Sequence, residues 1–163
     1  MAIMLVLATG VVVADLVTSA FAERDLANGP VHVVGFVELR LAYNTGAAFN
    51  IGRGYAPVFA VIAVAVSAAL IWWSRTVATR LGAAALGMVL GGAVGNLLER
   101  VFGGHGGAVV DFVDLRYWPV FNLADAAIVT GAILFVLLAL RRPGQRKLPV
   151  DSEAASGSAT SRP

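Results

Sequence analysis

The chain has 163 residues, of which 58% are hydrophobic and only 13% charged, with a mean hydropathy of +0.80. A soluble domain is nearer a quarter charged, so this balance suits lipid rather than water. The absence of Cys excludes disulfides, thiolate metal sites and Cys nucleophiles, two histidines (His32 and His105) are too few for a His-based metal centre, and a formal charge of +2 gives no reason to expect nucleic acid.

Met1–Phe21 is the first of four apolar segments near the ~20 residues that a spanning helix needs. A rival reading makes it a secretory signal peptide, because "AFA" at Ala20–Ala22 resembles a cleavage site. That reading fits less well, since no basic residue precedes the apolar run and Asp15 interrupts it. The connection Ala22–Gly54 follows. Within it, "VHVVGFVELRLAY" (Val31–Tyr43) is β-branched and aromatic enough for one or two short strands, and "NTGAAFNIGRG" reads as an interfacial or re-entrant stretch.

Tyr55–Trp73 and Leu81–Leu98 are the second and third apolar segments. On the third, Gly87, Gly91 and Gly95 recur at every fourth position and offer a smooth face for close helix approach. Met88, Gly92, Asn96 and Arg100 form the adjacent row, which places an amide and a guanidinium one turn apart near the helix end. A connection, Glu99–Val120, leads to the fourth segment, Phe121–Leu140. From Leu148 the tail "LPVDSEAASGSATSRP" has too little apolar content to bury and is expected to be disordered.

Orientation follows from Lys and Arg in the short connections. Arg75 and Arg80 follow the second segment with no acid between them, and Arg141, Arg142, Arg146 and Lys147 follow the fourth. The two long connections mix both signs of charge. Both termini are therefore expected in the cytoplasm. The expected fold is an all-α membrane protein: four transmembrane helices and a small extracytoplasmic β-containing segment, with residues 1–147 as one domain and 148–163 as a cytoplasmic tail.

Under that topology polar side chains from distant segments meet at the outer level. Asp111 precedes the fourth helix, and Asn122 and Asp125 lie three apart in its first turns, hence on one face. Asn96 and Arg100 end the third helix, Asn44 opens the Gly-rich stretch, and Asp15 lies ~9 Å below the outer end of the first helix. A carboxylate at such depth costs roughly 2.5–3.5 kcal/mol on insertion scales, so it marks a functional site by default. Two close Asp in a low dielectric share one proton, so one serves as base and the other as acid. The alternative is that Asp125 merely caps the fourth helix, a role for which Asn122 is better placed. Asp114, Arg116, His32 and His105 read as solvated loop residues.

"NTGAAF" (Asn44–Phe49), "GGAVGNLLER" (Gly91–Arg100), "VVDF" (Val109–Phe112) and "FNLADAAI" (Phe121–Ile128) together resemble the lipoprotein signal peptidases, or signal peptidase II, in order, spacing and placement. The resemblance spans about Asp15 to Leu140. It implies an aspartyl endopeptidase of the bacterial inner membrane that needs no cofactor or metal and cuts prolipoproteins just before their diacylglyceryl-modified Cys. It makes Asp111 and Asp125 the catalytic pair. Asn44, Asn96, Arg100, Asn122 and Asp15 become residues that hold substrate or support the pair, and the segment around Val31–Gly54 would cover the cleft. The chain is read as a monomer among membrane lipids.

The chain also departs from the family pattern. Leu16 and Ser19 stand where the family has Gln and Lys, Glu99 replaces an Asp, and "VFGGHGGAVV" is slightly long. Asp15 thus lacks its usual cation, which points to a supporting role in which a neutral Asp15, deeper than the pair, donates a hydrogen bond. Two other classes compete with an active peptidase: an inactive or altered paralogue that binds lipoproteins through the glycine face, and a small transporter or proton relay. The relay is disfavoured because no acid lies in the inner half of any segment.

Overall fold

The computed structural model of the protein describes residues 1–46 and 55–141. Its elements run α1 (Ala2–Asp25), β1 (Val31–Val34), β2 (Val37–Asn44), α2 (Ala56–Trp73), α3 (Arg80–Phe102), β3 (Val109–Asp114) and α4 (Leu123–Leu140). Among the described residues, these four helices are long and apolar enough to cross a membrane. At 1.5 Å per residue α3 reaches roughly 35 Å, more than a hydrocarbon core of ~30 Å. Their exposed faces are rich in large apolar side chains, such as Val61 on α2 and Val136 on α4, which lipid rather than water would solvate.

Helix ends follow local chemistry. Thr79 caps α3 by accepting the Gly82 N–H at 3.1 Å, and Asn122 caps α4 by accepting the Asp125 N–H at 2.8 Å. The first helix outruns its expected boundary at Phe21 and ends at Asp25. Ala20–Ala22 therefore lies inside a helix, and Ala22 is buried with Leu26 and Val110 where α1 meets the sheet. This leaves no extended segment at the cleavage-site resemblance.

The bundle is organised around α3, and its two small-residue rows serve two partners. A Cβ at Gly87 or Gly91 would lie 2.6 and 2.7 Å from the Met4 and Ala8 carbonyl oxygens of α1. A Cβ at Gly92 would collide with the Ala124 carbonyl oxygen of α4 and lie 2.7 Å from Ile128 Cγ1. Gly131 of α4 answers from the other side, 2.7 Å from the Ala85 carbonyl. Without a hydrophobic driving force between helices in lipid, such close backbone approach is what dispersion rewards. Because the glycine face is filled within the bundle, it is not a docking face for lipoproteins.

Val31–Tyr43 forms two strands, joined at Gly35, whose φ of 55° suits glycine. β3 completes an antiparallel sheet in the order β1-β2-β3, with Ala42 opposite Asp111 and Asn44 opposite Val109. Sequence reading left this third strand within a connection, although Val109, Val110, Phe112 and Val113 carry a strand's β-branched and aromatic signal. Most of "NTGAAFNIGRG" and the whole tail from Leu148 lie outside the described residues.

Candidate active site

Asp111 and Asp125 reach one site from different elements. Asp111 is carried by β3 and buried, only 2% exposed. Its Oδ2 accepts a hydrogen bond from Asn44 Nδ2 at 2.9 Å, and Asn44 Oδ1 in turn accepts the Gly46 N–H at 2.9 Å. Asn44 is thus oriented by the chain just beyond it, with its amide donor aimed at the carboxyl group.

Asp125 sits in the first turn of α4 inside a closed ring of bonds. Asn96 Nδ2 donates to Asp125 Oδ1 at 2.9 Å, Asn122 Nδ2 donates to Asn96 Oδ1 at 2.9 Å, and Asn122 Oδ1 accepts the Asp125 N–H. Each amide uses both ends, which fixes the orientation of all three side chains. Asn122 therefore caps the helix, as expected, and leaves the Asp125 carboxyl free for another role.

The two carboxyl groups feel each other. Burial pushes the Asp111 carboxyl up to about 7, and the charge of Asp125 raises it further against the opposing pull of the Asn44 donor. Near neutral pH this site holds a proton that an exposed Asp would have lost.

Arg100 approaches the pair without a hydrogen bond to either acid. It donates from Nη1 to the Gly107 carbonyl at 2.9 Å and from Nη2 to the Gly46 carbonyl at 2.6 Å. It thereby ties the segments carrying Asp111 and Asn44 to the end of α3, and its guanidinium lies 5.8 Å from the Phe59 ring centroid of α2.

Asp15 makes a different hydrogen bond from the one expected of it. It is fully buried, and Oδ1 accepts the Ala124 N–H at 2.8 Å, so it takes a hydrogen bond rather than giving one. It lies level with Asp125, not deeper, because α4 begins beside it. The backbone N–H of Ala124, at the start of α4, stands where a cation would have been sought. Asp15→Asn retains an acceptor oxygen and is expected to keep most activity. Asp15→Leu strips a buried N–H of its partner, at a cost of about 1–3 kcal/mol, and thermal unfolding in detergent should register the loss. An Asp15→Asn variant as inactive as Asp125→Asn at equal folded protein would make the Asp15 charge essential.

Of the residues read as solvated loops, Arg116 is an exposed loop residue and His32 is exposed, whereas His105 and Asp114 are partly buried. His105 is half-buried: Nε2 pairs with Glu23 Oε1 at 2.8 Å and its ring packs 4.7 Å from Tyr43, whose hydroxyl donates to the same carboxylate at 3.3 Å. Asp114 ends β3 and accepts from Arg40 Nε at 2.9 Å, Arg116 Nη2 lies 3.6 Å from Glu38 Oε2, and His32 is an exposed residue of β1. The Arg40–Asp114 pair joins β2 to β3 and forms only once the sheet does. Sequence reading also missed Glu99 as part of the site. It is buried, and Oε2 accepts the N–H of Val110, the neighbour of Asp111, at 2.7 Å.

Beside Asp125 opens an apolar cleft of ≈ 260 Å³. Leu115, Trp118, Phe121, Ile128 and Val129 line it, with Asp125 in its wall. A mostly apolar pocket with a few convergent polar groups is the usual form of a binding site.

A bundle of helices long enough to span a membrane, with two carboxyl groups converging near an apolar cleft, is the architecture of a membrane-embedded enzyme. The family profile described as Signal peptidase (SPase) II matches residues 7–141, so the chain belongs to the signal peptidase II family. It is 40% identical to the lipoprotein signal peptidase of Mycolicibacterium smegmatis over 176 aligned positions, covering 99% of this chain and 73% of that protein. It is 44% identical to that of Rhodococcus jostii over 144 positions, covering 85% and 73%. A solved structure described as a bacterial membrane enzyme superposes with a TM-score of 0.76 at 25% identity, covering 99% of this chain and 96% of that one. A second, also described so, gives 0.73 at 26% identity, with 88% and 96% covered. The protein is a multi-pass membrane peptidase of lipoprotein processing.

Proposed function

We propose that Asp111 and Asp125 are the catalytic pair, and that they hydrolyse the peptide bond preceding the diacylglyceryl-modified Cys of a prolipoprotein. The observation that carries this reading is the convergence of two carboxyl groups from β3 and α4, each held by an Asn amide, beside an apolar cleft. One carboxylate takes a proton from water as its oxygen attacks the scissile carbonyl. The protonated partner gives its proton to the carbonyl oxygen, and a neutral gem-diol forms. Collapse of the gem-diol breaks the C–N bond as a proton passes to the leaving nitrogen. Asn96 and Asn122 fix Asp125, Asn44 fixes Asp111, and Asp15 and Arg100 hold the elements that bear them. This scheme uses no metal ion or cofactor.

Purified protein in liposomes should cleave a diacylglyceryl-modified prolipoprotein, in the presence of EDTA, while its departures at Ser19 and Glu99 leave turnover intact. Failure to cleave under conditions that support a related peptidase would favour an inactive lipoprotein-binding paralogue.

The protein is proposed to act as a monomer, since the α3 glycine rows that would suit a dimer contact are used against α1 and α4. We place both termini in the cytoplasm and the sheet-bearing end outside, from Arg75 and Arg80 on one side and the mixed charges on the other. With no native Cys as background, cysteines at Thr76 and Gln145 should resist an impermeant thiol reagent in intact cells. One at Tyr117, which is 91% exposed, should react. Labelling of the Thr76 site from outside would invert the orientation.

A further inference from the structure

We propose that Glu99 is a positioning residue for the Asp111–Asp125 pair, acting through the backbone of β3. The proposal rests on the reading of that pair as catalytic. β3 is the last strand of the sheet, so one of its edges has no neighbouring strand to bond it. Phe121 closes part of that edge, exchanging hydrogen bonds with Val113 at 2.9 and 3.1 Å. At Val110 the Glu99 carboxyl does the same work, with Oε2 accepting the N–H at 2.7 Å. Asp111 thus lies between two anchors, one a side chain of α3 and the other the chain entering α4.

Glu99 is only 6% exposed and Val110 only 3%, so water does not compete for this bond. A hydrogen bond to a carboxylate is shorter and stronger than one between neutral groups. The other oxygen, Oε1, has no partner among the described residues. Ser19 Oγ of α1 is 4% exposed and lies against the same carboxyl outside hydrogen-bonding geometry, also without a partner. Keeping a carboxyl group so enclosed is costly, and fixing a backbone position beside a reacting group is a use that repays it. Glu99 also follows the ring of bonds around Asn96 by one helical turn, so α3 sets the position of Asp125 through one residue and of Asp111 through the other.

The test compares Glu99→Asp, Glu99→Gln and Asp111→Asn in steady-state cleavage of a synthetic diacylglyceryl-modified prolipoprotein peptide by detergent-solubilised full-length protein. Glu99→Gln keeps the length and an acceptor oxygen, so kcat should stay within about three-fold of wild type. Glu99→Asp keeps the charge but is one methylene short of Val110, so kcat should fall at least about ten-fold with KM unchanged. Its alkaline pH limb should also move to lower pH, because a loosened Asp111 is better hydrated. The charged groups facing Asp111, namely Asp125, Arg100 and the carboxylate at 99, are all retained in that variant. Amide hydrogen exchange over 109–114 should quicken in Glu99→Asp, which can be measured even if turnover is lost through poor folding elsewhere.

Glu99→Asp with wild-type kcat, pH limb and exchange would overturn the proposal. So would equal losses in Glu99→Asp and Glu99→Gln that track thermal stability and leave the pH limb in place. An inactive Asp111→Asn beside an unimpaired Glu99→Asp refutes positioning alone, whereas an active Asp111→Asn refutes the catalytic pair and this proposal with it.

Discussion

Asp111→Asn and Asp125→Asn should each remove cleavage activity, by about 10²–10⁴-fold, while the folded protein survives. Asn at 111 still offers an oxygen to Asn44 Nδ2, and Asn at 125 still offers one to Asn96 Nδ2, so both supporting bonds persist. What disappears is the exchangeable proton. Replacing a buried carboxyl group with an amide also relieves a desolvation cost, so thermal stability in detergent should be equal or higher. Assaying turnover and unfolding on the same samples separates chemistry from folding. Near wild-type turnover in either variant would take that residue out of the catalytic role.

Gly92→Ala should have the largest effect of any change outside the polar site. The added methyl collides with the Ala124 carbonyl oxygen and lies 2.7 Å from Ile128 Cγ1, and a backbone atom cannot rotate away. Relief requires the first turn of α4 to move off α3. That motion stretches the Asn96–Asp125 bond and withdraws the Ala124 N–H from Asp15. Overpacking of this kind costs about 1–3 kcal/mol, and a displaced Asp125 should lower turnover about ten-fold or more. Gly10→Ala is the control, because nothing lies within 4 Å of its added methyl. A Gly92→Ala protein with wild-type unfolding temperature and turnover would show that helix approach does not set the position of Asp125.

The spanning helices were legible in the sequence because apolar length is a property of single segments. Asn122 and Asp125 were readable as one face for a similar reason, being three apart on one helix. The glycine rows of α3 were visible too, but not their division of labour. Nothing local says that Gly91 meets α1 while Gly92 meets α4, since that depends on where the neighbours pack. Asp15 shows a different limit. Its partner is a backbone N–H 109 positions away, which no side-chain pattern encodes. Glu99 and His105 were hidden likewise, because their partners are a strand amide and a carboxylate that only the folded sheet brings near.

The central claim is that one proton is shared between Asp111 and Asp125, and the pH dependence of kcat tests it most directly. The active form carries a single proton on the pair. Asp111, raised by burial to about 7, holds that proton below this value and loses it above. Turnover should therefore decline as pH rises past neutrality, when both groups are ionised and no acid remains to protonate the scissile carbonyl. It should decline again at low pH, as the second carboxylate takes up a proton and no base remains. The two limbs belong to the coupled pair rather than to either residue. A bell with its alkaline limb just above neutrality is the predicted result, and a rate that climbs steadily to about pH 9 would contradict it.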